Sequence, residues 1–211
     1  MSYHPIPESK ACYIMQQEDI ENFADTLADG FSEYSLFKHI CNGTYDHNKM
    51  KLFWALSLSL VPDDAICIAD SKSANSVLIY VRPNSKEPGP FSYFKKGGLK
   101  MLFQFGIRGI IRLLRFEAEA QRIAKRYKTS NDGYLLAFAT RLDKQGQHYA
   151  TPLIKTLLNH LDASGEGCYL ETMKVENVEL YKHFSFQLKE RTSIQSGVLT
   201  LFAMLRPSNK I

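Results

Sequence analysis

The chain has 211 residues, 45% hydrophobic and 23% charged, with a formal net charge of +4. That length fits one domain burying roughly 70% of the surface its unfolded chain exposes, so no staple is needed to hold it. The charge suits an anionic ligand such as a nucleotide but is too small by itself to argue for nucleic acid. Cys12, Cys41, Cys67 and Cys168 are far apart and form no CxxC pair. They suggest neither a zinc site nor a disulfide framework, and read as reduced thiols of a cytoplasmic protein. The polar start MSYHPIPESK lacks an apolar signal core, and no run of about 18 apolar residues occurs.

In chain order, residues 10–15 read as a short strand and 16–31 as an amphipathic helix, with Ile20, Phe23, Ala24, Leu27 and Ala28 at helical spacing. Helices follow over 35–41 and 48–60, the second carrying Met50, Phe53, Trp54, Leu56 and Leu60 and broken at residues 62–64. Residues 65–69 and 76–81 read as strands joined by a polar turn, an antiparallel hairpin, and 83–90 as a loop. The pattern over 97–127 is the longest helical one: Leu99, Phe103, Ile107, Ile110, Leu114 and Ile123 fall near one face, and Gly106 and Gly109 weaken it enough to break it in two. Phe103, Phe105 and Phe116 read as core. The last third alternates: strand 134–140, helix 152–161 with Thr151 as N-cap and Pro152 in its first turn, strand 168–172, helix 175–183, and strands 184–190 and 198–206. The order implies a mixed α/β sheet in one domain.

The chemistry is expected between residues 134 and 152, where a buried strand runs through a polar loop into a helix. Unpaired amides at a helix start, with the helix dipole behind them, suit a phosphate or pyrophosphate. Gly146 lets a backbone approach closely. Alone this is a weak signal, since any strand–loop–helix crossover offers something similar.

Gln145-Gly146-Gln147-His148-Tyr149-Ala150 resembles the pyrophosphate signature of the GNAT superfamily of acyl-CoA-dependent N-acyltransferases: Gln or Arg, two residues, Gly, one residue, then Gly or Ala. Leu136-Ala137-Phe138-Ala139 resembles that family's fourth strand. The run from Tyr169 through Leu170-Glu171-Thr172 to Asn177, Tyr181 and Phe186 resembles its second block, and Phe202 to Pro207 its terminal strand. The likeness covers about a third of the chain. Two departures stand out: His148 occupies the place of the central Gly, and Ser185 that of the Gly in Gly-Phe. Either the His148 side chain faces away from the phosphates, or it meets them directly.

The resemblance implies a mostly antiparallel sheet with a splayed strand pair flanked by helices. It implies residues 131–207 as the acyl-CoA-binding core, and the N-terminal half to about 130 as the acceptor side, with a basic helical insertion at about 93–128. Acetyl-CoA, without a metal, would lie along the edge of Ala137, Phe138, Ala139 and Thr140. Its pyrophosphate would sit on the amides of Gln145, Gly146, Gln147, His148, Tyr149, Ala150 and Thr151, and Asn177 would touch the pantetheine arm. A primary amine of a small molecule would attack the thioester directly. Tyr181 would be the acid for the leaving thiolate, a phenol at about 10 against a thiol at about 8.5. Glu171 is the candidate base, or the group that binds the ammonium. Tyr134 and Asp132 are placed on the acceptor side.

Arg108, Arg112, Arg115, Arg122 and Arg126 also recur near one helical face, supported by Lys95, Lys96, Lys100, Lys125 and Lys128. This is a solvated face, or one that touches RNA, a membrane surface or the 3′-phosphate of CoA. Two further readings are a non-catalytic acyl-CoA sensor, which His148 and Ser185 allow, and an adaptor for RNA or a membrane surface that uses the arginine stripe. A homodimer stays open.

Overall fold

The computed structural model describes residues 12–86 and 98–208. Lys10, Lys95 and Lys96, with part of the 83–90 loop, lie outside them. The elements in chain order are β1 (Tyr13–Ile14), α1 (Ile20–Gly30), α2 (Ser35–Ile40), α3 (His47–Leu60), β2 (Ile66–Ala69), β3 (Ser76–Val81), α4 (Leu99–Tyr127), β4 (Asp132–Thr140), α5 (Ala150–Ser164), β5 (Gly167–Thr172), α6 (Val175–His183), β6 (Gln187–Ile194) and β7 (Leu199–Arg206). Single 3-10 turns stand before α1 (Gln17–Asp19) and after β4 (Leu142–Lys144).

The strands form one sheet ordered β1-β2-β3-β4-β5-β7-β6. All neighbours are antiparallel except β4 and β5, which run parallel and pair only from Asp132–Gly167 to Tyr134–Tyr169. Beyond that point the two strands part. The expected mixed sheet, the β2–β3 hairpin and the splayed pair are all present.

Apolar residues line both faces of the sheet, as a centrally buried sheet requires. Phe23, Leu27, Met50, Trp54 and Ile123 from α1, α3 and α4 pack on Val77, Ile79, Ala137 and Ala139. Leu153, Ile154, Leu157 and Leu161 of α5, with Val178 and Tyr181 of α6, pack on Leu78, Tyr80, Leu135 and Met204 of the other face. The register of β3 and β4 slips at Ile79/Tyr80, opposite Ala137/Leu135, so Leu136 is an extra residue in β4. Such a bulge bends its strand and increases its twist. It lies two residues past the last β4–β5 pair and turns β4 away from β5.

Three expectations need correcting. First, α5 begins at Ala150, earlier than the sequence suggested. Thr151 is therefore inside the first turn and is no N-cap; Tyr149 holds that place, and Pro152 is tolerated because first-turn amides have no intrahelical acceptor. Second, β6 begins at Gln187 and runs to Ile194, because Ser185 adopts φ 66° and the chain turns over residues 184–186. Third, the broken helix α4 kinks at Gly106 (φ 64°, ψ 171°) alone; Gly109 continues the helix and lets α2 approach, since a Cβ there would sit 2.9 Å from the Ile40 carbonyl oxygen. Met101, Phe105, Gly109, Ala120 and Ile123 form the buried stripe. Phe103, expected in the core, is exposed, as are Leu99, Ile107 and Leu114 of the expected apolar face.

Candidate active site

The parting of β4 and β5 opens a cleft of about 1330 Å³ that passes from the α5 side of the sheet to the α1–α4 side. Its floor includes Leu136, Ala137, Phe138, Ala139 and Thr140 of β4; Glu171, Thr172, Asn177 and Tyr181 face them from β5 and α6. On β4 the edge from residue 135 onward has no ladder partner on its β5 side. Its N–H and C=O groups are free to pair with an extended ligand.

The turn after β4 is held down from α1. Arg141 makes an ion pair with Asp25 at 2.9 Å, and Asp29 accepts from the Leu142 amide at 2.7 Å. Gly30 ends α1 against β4, where a Cβ would come within 2.8 Å of the Thr140 carbonyl oxygen. Beyond this anchor the amides of Gly146, Gln147, His148, Tyr149 and Ala150 make no backbone hydrogen bond to another described residue outside α5. They stand at the start of a 15-residue helix, the arrangement that attracts a phosphate. Gly146 (φ 75°) and His148 (φ 66°) both lie in the left-handed region. His148 thus keeps the backbone that glycine would adopt, at the strain a side chain incurs there, and the residue is exposed. Gln145 donates its side-chain amide to the Thr140 carbonyl at 3.2 Å and Gln147 to that of Asp143 at 2.8 Å. Both side chains brace the turn. Two amides expected at the pyrophosphate are already spent, that of Gln145 on the Leu142 carbonyl at 3.4 Å and that of Thr151 on the His148 carbonyl at 3.2 Å, so the free set runs from Gly146 to Ala150.

Where the strands part, the Tyr134 hydroxyl donates to Glu171 at 2.6 Å, and the Tyr134 and Tyr169 rings stack at 6.1 Å. Burial pushes the Glu171 carboxyl up to about 7 against the opposing hydrogen bonds of Tyr134 and Tyr169, and the Glu117 carboxylate adds to the rise. The Tyr169 hydroxyl approaches Glu171 without the geometry of a full hydrogen bond. Glu117, on α4, reaches solvent through the cleft mouth but is hemmed in by its walls, and desolvation raises its carboxyl too. Burial holds the Tyr134 phenol far above its ordinary value, so it stays a donor.

The opposite wall is tied to α2. The Tyr34 hydroxyl meets the Thr172 hydroxyl at 2.6 Å, and Asn177 donates to Thr172 at 3.1 Å and to Tyr34 at 3.5 Å. Asn177 therefore lies in the cleft wall within a polar knot that fixes the end of β5. Tyr181 is 7% exposed and stacks obliquely on Phe186. Burial raises its phenol, with the neighbouring Tyr34 and Cys168 adding to the rise. Asp132 is buried and accepts from the Thr129 amide and hydroxyl at 2.7 and 2.8 Å, so it secures the strand entry. On the α1–α3 side Phe31, Tyr34, Phe37, Phe53 and Trp54 make an aromatic wall. Sequence reasoning missed both Tyr34, whose contact with Thr172 spans 138 residues, and Glu117 as part of the cleft. No local pattern marks either. Among the described residues, no group of three or more His, Cys, Asp or Glu could hold a metal ion.

No protein-family model matches the chain. An uncharacterized N-acetyltransferase of Schizosaccharomyces pombe is 20% identical over 178 residues, 82% of this chain and 72% of the relative. Among solved structures, a Corynebacterium glutamicum protein described as histone acetyltransferase HPA2 and related acetyltransferase superposes with a TM-score of 0.68 at 16% identity, covering 95% of this chain and 97% of its own. Arylalkylamine N-acetyltransferase 2 of Aedes aegypti gives 0.60 at 14% identity over 94% and 98%. The polyamine N-acetyltransferase of Drosophila melanogaster gives 0.59 at 15% over 92% and 97%.

Proposed function

From the GNAT acetyltransferase fold that this chain has, we propose that it transfers an acetyl group from acetyl-CoA to a primary amine of a small molecule. The observation that carries the reading is the junction of three features in one cleft: the unpaired β4 edge, the free amides before α5, and a carboxylate held near neutrality at the strand fork. The names of the Aedes and Drosophila neighbours, an arylalkylamine and a polyamine acetyltransferase, are compatible with a small amine as acceptor.

The turn amides from Gly146 to Ala150 receive the pyrophosphate, and the edge of Ala137–Thr140 pairs with the pantetheine amides as a strand would. That pairing sets the thioester in the fork beside Glu171 and Tyr181. Glu171, half protonated near pH 7, takes a proton from the incoming ammonium, so the neutral amine attacks the carbonyl carbon. The collapsing intermediate expels the thiolate; Tyr181, kept protonated by burial, gives it a proton and takes back the one that the new amide nitrogen sheds, so the phenol is restored. Tyr134 orients Glu171 and stabilises its charged form.

Thermal unfolding with acetyl-CoA tests the cofactor half. A ligand at about 100 times its dissociation constant adds about 2.7 kcal/mol, a rise of several degrees. No rise at millimolar acetyl-CoA sinks the reading. For turnover, Tyr181→Phe should lower the rate of CoA release on the order of tenfold or more while leaving the acetyl-CoA shift intact; an unchanged rate removes Tyr181 as the acid.

A further inference from the structure

The outer face of α4 is unlike the rest of the surface. Phe103 is 81% exposed, Ile107 70% and Leu114 62%, with Ile111 and Leu99 also open. Scattered exposed apolar side chains are ordinary; an apolar strip along one helix is not. At 100° per residue Ile107, Ile111, Leu114 and Ala118 share one sector of the helix, and Arg108, Arg115 and Arg122 run along one edge of it. The helix carries seven Lys and Arg against two Glu, a net +5, where the whole chain has only +4.

Both acids and two of the cations are already committed. Glu119 accepts from the Gln195 amide, Glu117 lines the cleft, Arg112 donates to the His39 carbonyl and Asn42, and Arg126 pairs with Glu190. Lys100, Arg108, Arg115, Arg122 and Lys125 make no ion pair with any described residue. Among the described residues, then, the outward face combines bare hydrocarbon with positive charge that no acid pairs.

We infer that this face docks on an anionic lipid surface. A bilayer satisfies both halves at once: the headgroup phosphates meet the cations, and the acyl boundary takes Phe103, Ile107 and Leu114. A second copy would set these cations against their own kind. RNA would answer the charges and leave Ile107 and Leu114 against a polar backbone. No helix among the described residues is long and apolar enough to cross a membrane, so α4 lies on the surface. Leu114 also borders the cleft, which places the cleft mouth beside the docked lipid. The inference does not rest on the acetyl-transfer reading.

The test is co-sedimentation of the full chain with vesicles of phosphatidylcholine alone and of phosphatidylcholine with phosphatidylserine. Binding is expected only to the anionic vesicles, weakening as salt is added. Arg108→Gln/Arg115→Gln/Arg122→Gln should lose about fivefold per charge, and Phe103→Ser/Ile107→Ser about tenfold or more, both with the thermal midpoint unchanged because the side chains are exposed. Absence of binding to anionic vesicles at low salt overturns the inference, as does undiminished binding by the Phe103→Ser/Ile107→Ser variant. A dimer in gel filtration that this variant turns into monomer would give the face to a second copy. Tighter binding to single-stranded RNA than to the vesicles would give it to nucleic acid.

Discussion

Two glutamates at either end of β5 have opposite fates. Glu166 accepts from the Tyr80 hydroxyl at 3.0 Å, and Glu171 from the Tyr134 hydroxyl at 2.6 Å. Both are desolvated. Glu166 also meets Arg82 at 2.9 Å and His160 at 3.6 Å, and those partners outweigh its burial and pull its carboxyl down to about 2. Glu171 has no cation in contact, only a distant Lys128, so burial wins and its carboxyl rises to about 7. The difference is one guanidinium and one imidazole. Where β4 and β5 are paired, charge is matched and the end is structural; where they part, a carboxylate is kept unmatched and can exchange a proton.

The largest expected effect comes from removing that proton exchange. Glu171→Gln should lower kcat/KM by on the order of 100-fold and abolish the fall in rate below about pH 7. A loss of only a few-fold would leave Glu171 as a binding group. The same substitution should stabilise the fold at higher pH. The raised carboxyl favours folding when protonated, and that contribution fades as pH rises through about 7, so the charged form costs up to about 3 kcal/mol which a neutral amide avoids. Urea unfolding of both proteins across the pH range reads this directly.

Next is the closed end. A Cβ on Gly133 would meet the Tyr80 hydroxyl oxygen at 2.0 Å, so Gly133→Ala must displace the tyrosine and strip Glu166 of its phenol donor, leaving Arg82. The expected cost is roughly 3 kcal/mol in urea unfolding; a cost under about 1 kcal/mol would mean that the Tyr80–Glu166 contact does not hold the strands together. Acid adds a matching test. The depressed carboxyl of Glu166 contributes about 3 kcal/mol above its ordinary range, lost as pH falls through about 2. Glu166→Gln should flatten that loss.

The smallest effects concern the two residues that stand where the family pattern has glycine. His148 and Ser185 both keep φ 66°. His148→Gly and Ser185→Gly should each stabilise by up to about 1 kcal/mol, the relief of a left-handed side chain less the entropy of glycine. With its side chain exposed, His148→Gly should leave acetyl-CoA affinity within a few-fold. A weakening of about tenfold or more, or 1.4 kcal/mol, would show the imidazole meeting phosphate.

Local signals made much of this legible. Helical spacing gave α1 and α3, alternating turns and apolar runs gave the hairpin, and the segment around Gln145 and Glu171 identified the fold by resemblance. The boundaries of α5 and β6 slipped because a left-handed residue at His148 or Ser185 reverses the chain without glycine to announce it. On α4, Phe103 reads as core and stands exposed while Phe105 is buried, since periodicity cannot say which of two apolar faces meets the protein. Asp25 and Asp29 fasten the turn that carries the free amides, and nothing in the α1 segment announces it. Contacts between residues over 100 positions apart leave no mark on either segment.

The bulge at Leu136 has a consequence for the safety of the fold. An unpaired strand edge at the margin of a sheet invites other chains to add to it and seeds aggregation. This one lies at the centre of a seven-stranded sheet, at the bottom of a cleft walled by β5 and α6. Only a single slender chain can reach it, so the edge that would be a hazard at the rim becomes, in the interior, a selective berth.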